Sequence, residues 1–448
     1  MVNSNRRRRR YGHRSAIASG AVIGVVIAII AIIAAGAYVA LYGGKTTSFV
    51  TQTITGTGSG ATVTQTVTQT GSAGVTTVTG TAGTSVVTIT QSGTTLVTTL
   101  TATASQTFTA TYPATLPAET ITETGSSLLF PLFNDWVPNF TAKYSSIKID
   151  TASTGSGTGQ SSAETGAVEI GGSDAYLTNL QASGNPEILN IPLAISAQQV
   201  NYNVPGIPST MHLNFSGPVL AGIYNGTITT WNSPYITALN PGAASLLTDQ
   251  TIIPIHRADS SGDTFLFTQY LSFSTPSWNS SVGYGTTVSW PSVAASQAAT
   301  GNGGMVQACN ATKYSIAYIG VSYLRSAVAD DLGYAYLQNE AGNFVNISST
   351  NIEAAASRMV PLTPADERLS LIFAPGNNSY PIINYEYAMV SKNQNVTGMA
   401  TALKTFLTWA IDPANGNSPY FLNQVNFIPL PYTTAELSYA QINEITGP

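Results

Sequence analysis

The sequence predicts an α/β fold behind a non-globular N-terminal region, and three observations lead there. The chain has 448 residues, 43% of them hydrophobic, enough for one large or two medium domains. From Thr122 onward, apolar strand-like runs alternate with helix-length stretches, the pattern of strands joined by crossover helices. Three Ser/Gly-rich turns stand at the starts of helices in that same region, where such residues cap the free backbone amides.

In chain order, residues 1–15 are a basic segment containing Arg6–Arg10 and Arg14. Ala16–Tyr42 is uncharged and longer than the roughly 20 residues a membrane helix needs, so a transmembrane anchor is expected over residues 16–42. The basic run before it keeps the N-terminus in the cytoplasm and places the remainder of the chain outside. A cleaved signal peptide is the competing reading, but its apolar core is usually shorter. Residues 43–121 form a Ser/Thr-rich stalk: between Thr46 and Ala118 no residue is charged and 28 of 73 are Thr. Thr/Val alternation there has the period of a strand, yet no large apolar face exists to bury it, so an extended spacer of weak strand character is expected. Beyond it, strands are expected at Ile147–Thr151, Ile252–His256, Ile316–Ile319 and Ala388–Ser391, and helices at Leu128–Tyr144, Thr264–Phe273 and Met399–Ile411.

Only 8% of residues are charged, against about 25% in ordinary soluble domains, so solubility rests on hydroxyls, amides and sugars. The net charge is −5 although five of the 16 basic residues lie in Arg6–Arg10. That balance excludes a nucleic-acid partner. The single cysteine, Cys309, has no disulfide partner in the chain and reads as a buried structural thiol, and no Cys/His spacing suits a metal. Asn-x-Ser/Thr acceptors at Asn139, Asn214, Asn225, Asn279, Asn310, Asn346, Asn377 and Asn395 agree with an external, glycosylated surface.

The three turns are Gly125-Ser126-Ser127-Leu128, Gly155-Ser156-Gly157-Thr158-Gly159 and Ser260-Ser261-Gly262-Asp263-Thr264. Each offers backbone N–H groups and a hydroxyl at the positive end of a helix, where a tetrahedral oxyanion can bind. Each is also what an ordinary N-cap looks like. The third stands apart because Arg257 and Asp259 precede it: a cation sits at a strand end just before the helix, with Asp259 near enough to fix the guanidinium plane. Neither a P-loop nor a dinucleotide fingerprint is present.

These motifs, with Val168-Glu169-Ile170-Gly171-Gly172-Ser173-Asp174-Ala175, Ile223-Tyr224-Asn225-Gly226, Trp231, Leu239-Asn240-Pro241-Gly242 and Thr287-Val288-Ser289-Trp290-Pro291, resemble in order the phosphate-binding proteins of phosphate ABC importers. The resemblance runs from about Thr124 to the C-terminus. It implies the two-lobed type II periplasmic-binding-protein fold, with lobe one from residues 122–200 and 387–448 and lobe two from 201–386. The two hinge crossings are expected near Gln199–Val204 and Asn384–Met389. It further implies that inorganic phosphate is held by Ser127, the Leu128 backbone, Ser156, Asp174, Arg257, Ser261 and Gly262, without metal or cofactor. An ABC permease with a cytoplasmic ATPase is the implied partner, and no bond is made or broken. Asp174 would accept from a protonated phosphate oxygen, which sulfate lacks.

Two positions depart from the family pattern. Leu128 replaces a common Phe, and Asp263 replaces a common Thr. Asp263 either caps its own helix or is a second acceptor for a phosphate proton; in the latter case it shifts selectivity toward dihydrogen phosphate and suits acid surroundings. A phosphatase-like hydrolase and a surface adhesin are the rival functions. Against the first, no Gly-x-Ser-x-Gly elbow occurs and only His212 and His256 lie outside the N-terminal segment.

Overall fold

A computed structural model describes residues 108–448 throughout and, before them, Gly24–Val26, Val63–Val67, Thr76–Gly80, Thr84–Gln91, Thr94–Thr101 and Thr103–Ser105. The chain divides into two compact units, Met1–Thr107 and Phe108–Pro448. In the first, Val63–Val67 pairs with Thr76–Gly80 and Thr84–Gln91 with Thr94–Thr101, both antiparallel, so the Thr/Val alternation does form strands. Of the expected anchor over residues 16–42, only Gly24–Val26 is described, as a short strand against Thr103–Ser105. The rest of that span and the basic segment before it lie outside the described residues. Among the described residues no helix is long and apolar enough to cross a membrane.

The second unit is built on one curled sheet. Its principal elements are β1 (Glu119–Gly125), α1 (Phe130–Lys143), β2 (Ile147–Ser153), α2 (Ser156–Glu164), β3 (Ile170–Ser173) and β4 (Ile188–Asn203), followed by β5 (Ile253–Arg257), α3 (Gly262–Ser274) and β6 (Gln297–Ala299). The series ends with α4 (Gly301–Ala311), β7 (Ser315–Gly320), β8 (Ile383–Ser391), α5 (Met399–Ile411) and α6 (Tyr432–Glu444). The strand order is β6-β5-β7-β4-β8-β3-β1-β2, with Gly333–Tyr334 pairing on β4 as a ninth strand. β2, whose Ile-Lys-Ile-Asp start alternates buried and exposed, is an edge; β4, buried along nearly its whole length, lies at the centre.

β4 joins the two lobes of this fold. Its first part, Ile188–Ala197, pairs with β8, and its second, Gln198–Asn203, pairs with β7. The partner changes between Ala197 and Gln198, just ahead of the expected Gln199–Val204. The return crossing differs more. Asn384–Met389 lie wholly within β8 on the first lobe's side, and it is Ile382, accepting from the Gln198 amide at 3.1 Å, that stands at the junction.

The first lobe also begins earlier than Thr122. Phe108 is buried and packs edge-on against Tyr439 with ring centroids 5.4 Å apart, and the Tyr112 hydroxyl donates to Asp412 at 2.8 Å. An uncharged stretch is therefore not all spacer: once aromatic residues enter at Phe108, burial outweighs the entropy of an extended chain. In α1, Leu132, Phe133, Trp136 and Phe140 make one buried stripe, and Trp136 packs edge-on against Phe406 and Trp409 of α5. Cys309 is buried in α4, its thiol pushed up to about 12 by burial.

Candidate functional site

The three turns found in the sequence converge where β4 passes between lobes. The first comes directly after β1. Gly125 has φ +148°, and a Cβ on it would meet the Gly172 carbonyl oxygen at 2.0 Å, so only glycine lets β1 and β3 lie this close. The next residue, Ser126, closes the turn that leads into α1: its Oγ accepts from the Leu128 and Leu129 amides at 3.0 and 2.9 Å and donates to Asp174 Oδ1. The Leu128 amide is thus already bonded within its own turn, and its side chain is buried. Ser127 faces the other lobe, its Oγ accepting from the backbone amide and from Nδ2 of Asn302, each at 3.0 Å.

The second turn starts α2. Ser156 Oγ accepts from the Asp174 amide at 3.1 Å, tying this helix to the end of β3. Gly157 donates to the Ser260 carbonyl at 3.0 Å, and a Cβ there would meet Ser260 Oγ at 1.9 Å. This glycine lets backbones of opposite lobes touch.

The third turn holds the charge. Arg257, at the end of β5, has a side chain only 1% exposed. Its Nε and one terminal nitrogen fork onto Asp259, with Nε to Oδ1 at 2.7 Å, in accord with the spacing of the two residues. The other terminal nitrogen donates to Asp263 Oδ2 at 2.9 Å. Burial acts to lower the guanidinium pKa, but the Asp259 hydrogen bond and the Asp263 charge more than offset this and raise it. Asp259 also accepts from the Gly301 amide at 3.2 Å. Burial works against its charge too, but Arg257 lowers its pKa below the usual carboxylate range.

Ser261 caps α3, accepting from the Thr264 amide at 3.4 Å, and Gly262 comes next. A Cβ on Gly262 would meet Asp174 Oδ2 and Ser156 Oγ, both at 2.5 Å, so this helix start faces the first lobe's acceptor directly. Asp263 does not cap its own helix. Its Oδ2 accepts from Arg257 and from Asn302 Nδ2 at 2.6 Å, and its Oδ1 accepts from Gln198 Nε2 at 3.0 Å, while Ser261 does the capping. Burial raises its pKa, opposed by Arg257, Gln198 and Asn302.

Asp174 is 2% exposed, and its pKa is pushed up to about 7 by burial and by the charge of Asp263, against hydrogen bonds from Ser126 and Glu386. Sequence reasoning alone misses several functional groups: Ser126 rather than its neighbour bonds Asp174, while Asn302, Gln198 and Glu386 complete the polar floor. The Thr300-Gly301-Asn302-Gly303-Gly304 run opening α4 is a fourth Gly-rich helix start, and Glu386 is an acid within the apolar-polar run of β8; these are the signals that could have found them. Neither histidine side chain meets these carboxyl or guanidinium groups: His256 stacks on Trp290 with ring centroids 4.9 Å apart and its Nδ1 lies 3.1 Å from the Arg257 carbonyl oxygen, while His212 packs against Tyr334 and Tyr336 at 4.1 and 5.0 Å.

The arrangement brings one buried cation, three Ser/Gly-rich turns at helix starts and the Asp174 carboxyl together where the lobes meet. Comparison with known proteins identifies the family. A family model described as the PBP superfamily domain matches residues 44–414. The phosphate-binding protein PstS of Methanocaldococcus jannaschii is 32% identical over 72% of this chain and 86% of its own length. The protein of the same name from Pasteurella multocida is 31% identical over 74% of this chain and 92% of its own. Among solved structures, a phosphate-binding protein from Stenotrophomonas maltophilia matches with a TM-score of 0.54 at 20% identity, over 73% of this chain and 94% of its own. A high-affinity periplasmic phosphate-binding protein bound with phosphate matches at 0.58 and 20%, over 71% and 93%. These two share the fold. The chain thus belongs to the PBP superfamily and, within it, to the family of the PstS phosphate-binding proteins.

Proposed function

We propose that this protein captures inorganic phosphate between its two lobes and passes it to an ABC import permease with a cytoplasmic ATPase. The observation that carries the reading is Arg257, a buried guanidinium held between Asp259 and Asp263 at the start of α3, facing Asp174 across Gly262. Among the described residues no other basic side chain is bonded to these groups. A site with three carboxyl groups and one cation rejects an anion without protons and accepts one that can donate to Asp174. Phosphate does so; sulfate at neutral pH does not. Ser127, Ser156, Ser261 and the Gly262 amide are the remaining ligand donors in this reading, with the Leu128 amide bonded to Ser126 instead. Asp263 acts through Arg257, which it holds in place.

Closure of the lobes over phosphate, along the strand they share, is the event read by the permease. The same reading puts the binding unit outside the cell, tethered by residues 16–42, with glycosylation at the exposed Asn-x-Ser/Thr acceptors. A mature N-terminus at or beyond Gly43 in the membrane fraction would overturn the tether. The function itself is tested by isothermal titration of the full-length protein with phosphate, sulfate and a phosphomonoester. Heat from phosphate alone supports it; hydrolysis of the ester, or equal binding of all three, contradicts it.

A further inference from the structure

Behind Asp174, one face of the central strands carries a row of polar side chains with no access to solvent. Ser196 of β4 and Asn384 and Glu386 of β8 are 0%, 4% and 0% exposed. The register explains why they meet Asp174. β8 pairs antiparallel with β3 with Tyr387 opposite Ser173, so the next step of the ladder sets Glu386 opposite Asp174. The two carboxyl groups face each other across this step, close enough that each perturbs the other's ionisation.

Two carboxyl groups so placed must share a proton, and the surrounding donors say where it resides. Glu386 Oε1 accepts from Asn384 Nδ2 at 3.0 Å and lies 2.5 Å from Ser196 Oγ, whose one hydrogen is shared between it and Asn384 Oδ1 at 2.7 Å. Glu386 Oε2 is buried and receives no hydrogen bond. An ionised carboxylate with a bare oxygen against a second carboxylate is strongly disfavoured; a proton on Oε2 makes that oxygen a donor and Asp174 its acceptor. Asn384 Nδ2 also reaches the Asp174 carbonyl at 3.2 Å, fixing the backbone that carries the acid.

We propose that Glu386 is a positioning residue for the anion site: as a neutral acid it donates to Asp174 and keeps that carboxylate charged, oriented and ready to accept a proton-bearing ligand oxygen. With Ser126 donating to Asp174 Oδ1 from one side and Glu386 from the other, the acceptor is fixed by two donors before any ligand arrives. Burial, and then the charge of Asp174, hold the Glu386 pKa well above the ordinary glutamate range. The groups facing it are Asp174 at the end of β3, Ser196 on β4 and Asn384 on β8; beyond Asp174 lie Arg257 of β5 and Asp263 of α3. When Glu386 ionises as pH rises, a second negative charge appears behind Asp174 and the ligand is repelled.

The proposal rests on the phosphate reading of the site, and its test separates the two. Phosphate binding is measured by titration from about pH 6 to pH 9 for the full-length wild type, Glu386→Gln and Glu386→Ala. Gln keeps a donor toward Asp174 and an acceptor toward Ser196, so at about pH 6 it binds within about threefold of wild type, whereas Ala loses at least about tenfold, the scale of one hydrogen bond to a charged group. Towards alkaline pH, wild-type affinity falls faster than that of Glu386→Gln, which cannot ionise. In parallel, a difference infrared spectrum of the ligand-free protein contains a protonated carboxylic-acid band that is lost in Glu386→Gln. Equal affinities for Gln and Ala, identical pH profiles for wild type and Gln, or an infrared band unchanged by the substitution would each overturn the proposal with the phosphate reading intact. A wild type that binds no phosphate would overturn that reading and this role with it.

Discussion

Replacing Arg257 by Ala removes the cation on which both the site and its surroundings depend. In the folded protein the guanidinium satisfies two carboxyl groups, Asp263 with a side chain 0% exposed and Asp259 at 14%. Removing one partner of a buried pair typically costs about 3–5 kcal/mol, because the other charge is left without compensation. Asp263 keeps Gln198 and Asn302 and Asp259 keeps Gly301, so the lower half of that range is expected. For the ligand, losing two charge-assisted hydrogen bonds of about 1.5–3 kcal/mol each weakens binding by a factor on the order of 10² to 10⁴. The stability loss has a pH signature. Without Arg257, the already raised Asp263 pKa climbs further above its unfolded value of about 3.9, and a raised acid contributes stability that is present at low pH and lost as pH rises through the folded pKa. Urea unfolding should therefore show a smaller deficit for Arg257→Ala at about pH 5 than at about pH 8, while titration calorimetry reports the affinity. Phosphate affinity within about threefold of wild type, under 1 kcal/mol, would refute the site assignment. A deficit equal at both pH values would refute the account of Asp263.

The same geometry carries two further outcomes. Gly262→Ala puts a methyl 2.5 Å from Asp174 Oδ2 and Ser156 Oγ, too close for the lobes to meet, so phosphate affinity should fall at least about tenfold with little change in unfolding midpoint; an unchanged affinity in calorimetry would contradict the closeness of the lobes at this point. Burial pushes Glu123 up to about 8 and Glu367 up to about 9, so the wild type should lose stability as pH rises from about 5 through these values, and Glu123→Gln and Glu367→Gln should flatten the decline. A thermal midpoint that rises over this interval would show that these acids are ionised in the folded state; a falling one accords with a protein suited to acid surroundings.

Local features are the ones legible in the sequence. The strand beginning at Ile147 and the helices around Phe130–Lys143, Gly262–Ser274 and Met399–Ile411 all arise from short-range periodicity and fall where expected. The fork of Arg257 on Asp259 is legible for the same reason, being a contact between neighbours in the chain. What pairing across the fold decides is not. Ser127 meets Asn302 across 175 positions, and Glu386 meets Asp174 only because β8 and β3 share a register. The pairing of Asp263 with Arg257 is not legible either, because Asp263 departs from the family pattern and its partner is set by how α3 meets β5. The second hinge crossing is displaced from its expected place because Asn384–Met389 is a strand whichever lobe it serves. Phe108 and Tyr112 read as spacer in the sequence because absence of charge marks stalk and core alike.

The central claim is that the site selects its anion by the protons the anion carries, with Asp174 as the acceptor. The most direct test is the ratio of phosphate to sulfate affinity near neutral pH for the wild type and for Asp174→Asn. The account predicts strong phosphate binding with negligible sulfate binding in the wild type, and a ratio at least about tenfold smaller in the variant, where an amide replaces the repelling carboxylate. Sulfate binding as tight as phosphate in the wild type, or a ratio unmoved by Asp174→Asn, would contradict it.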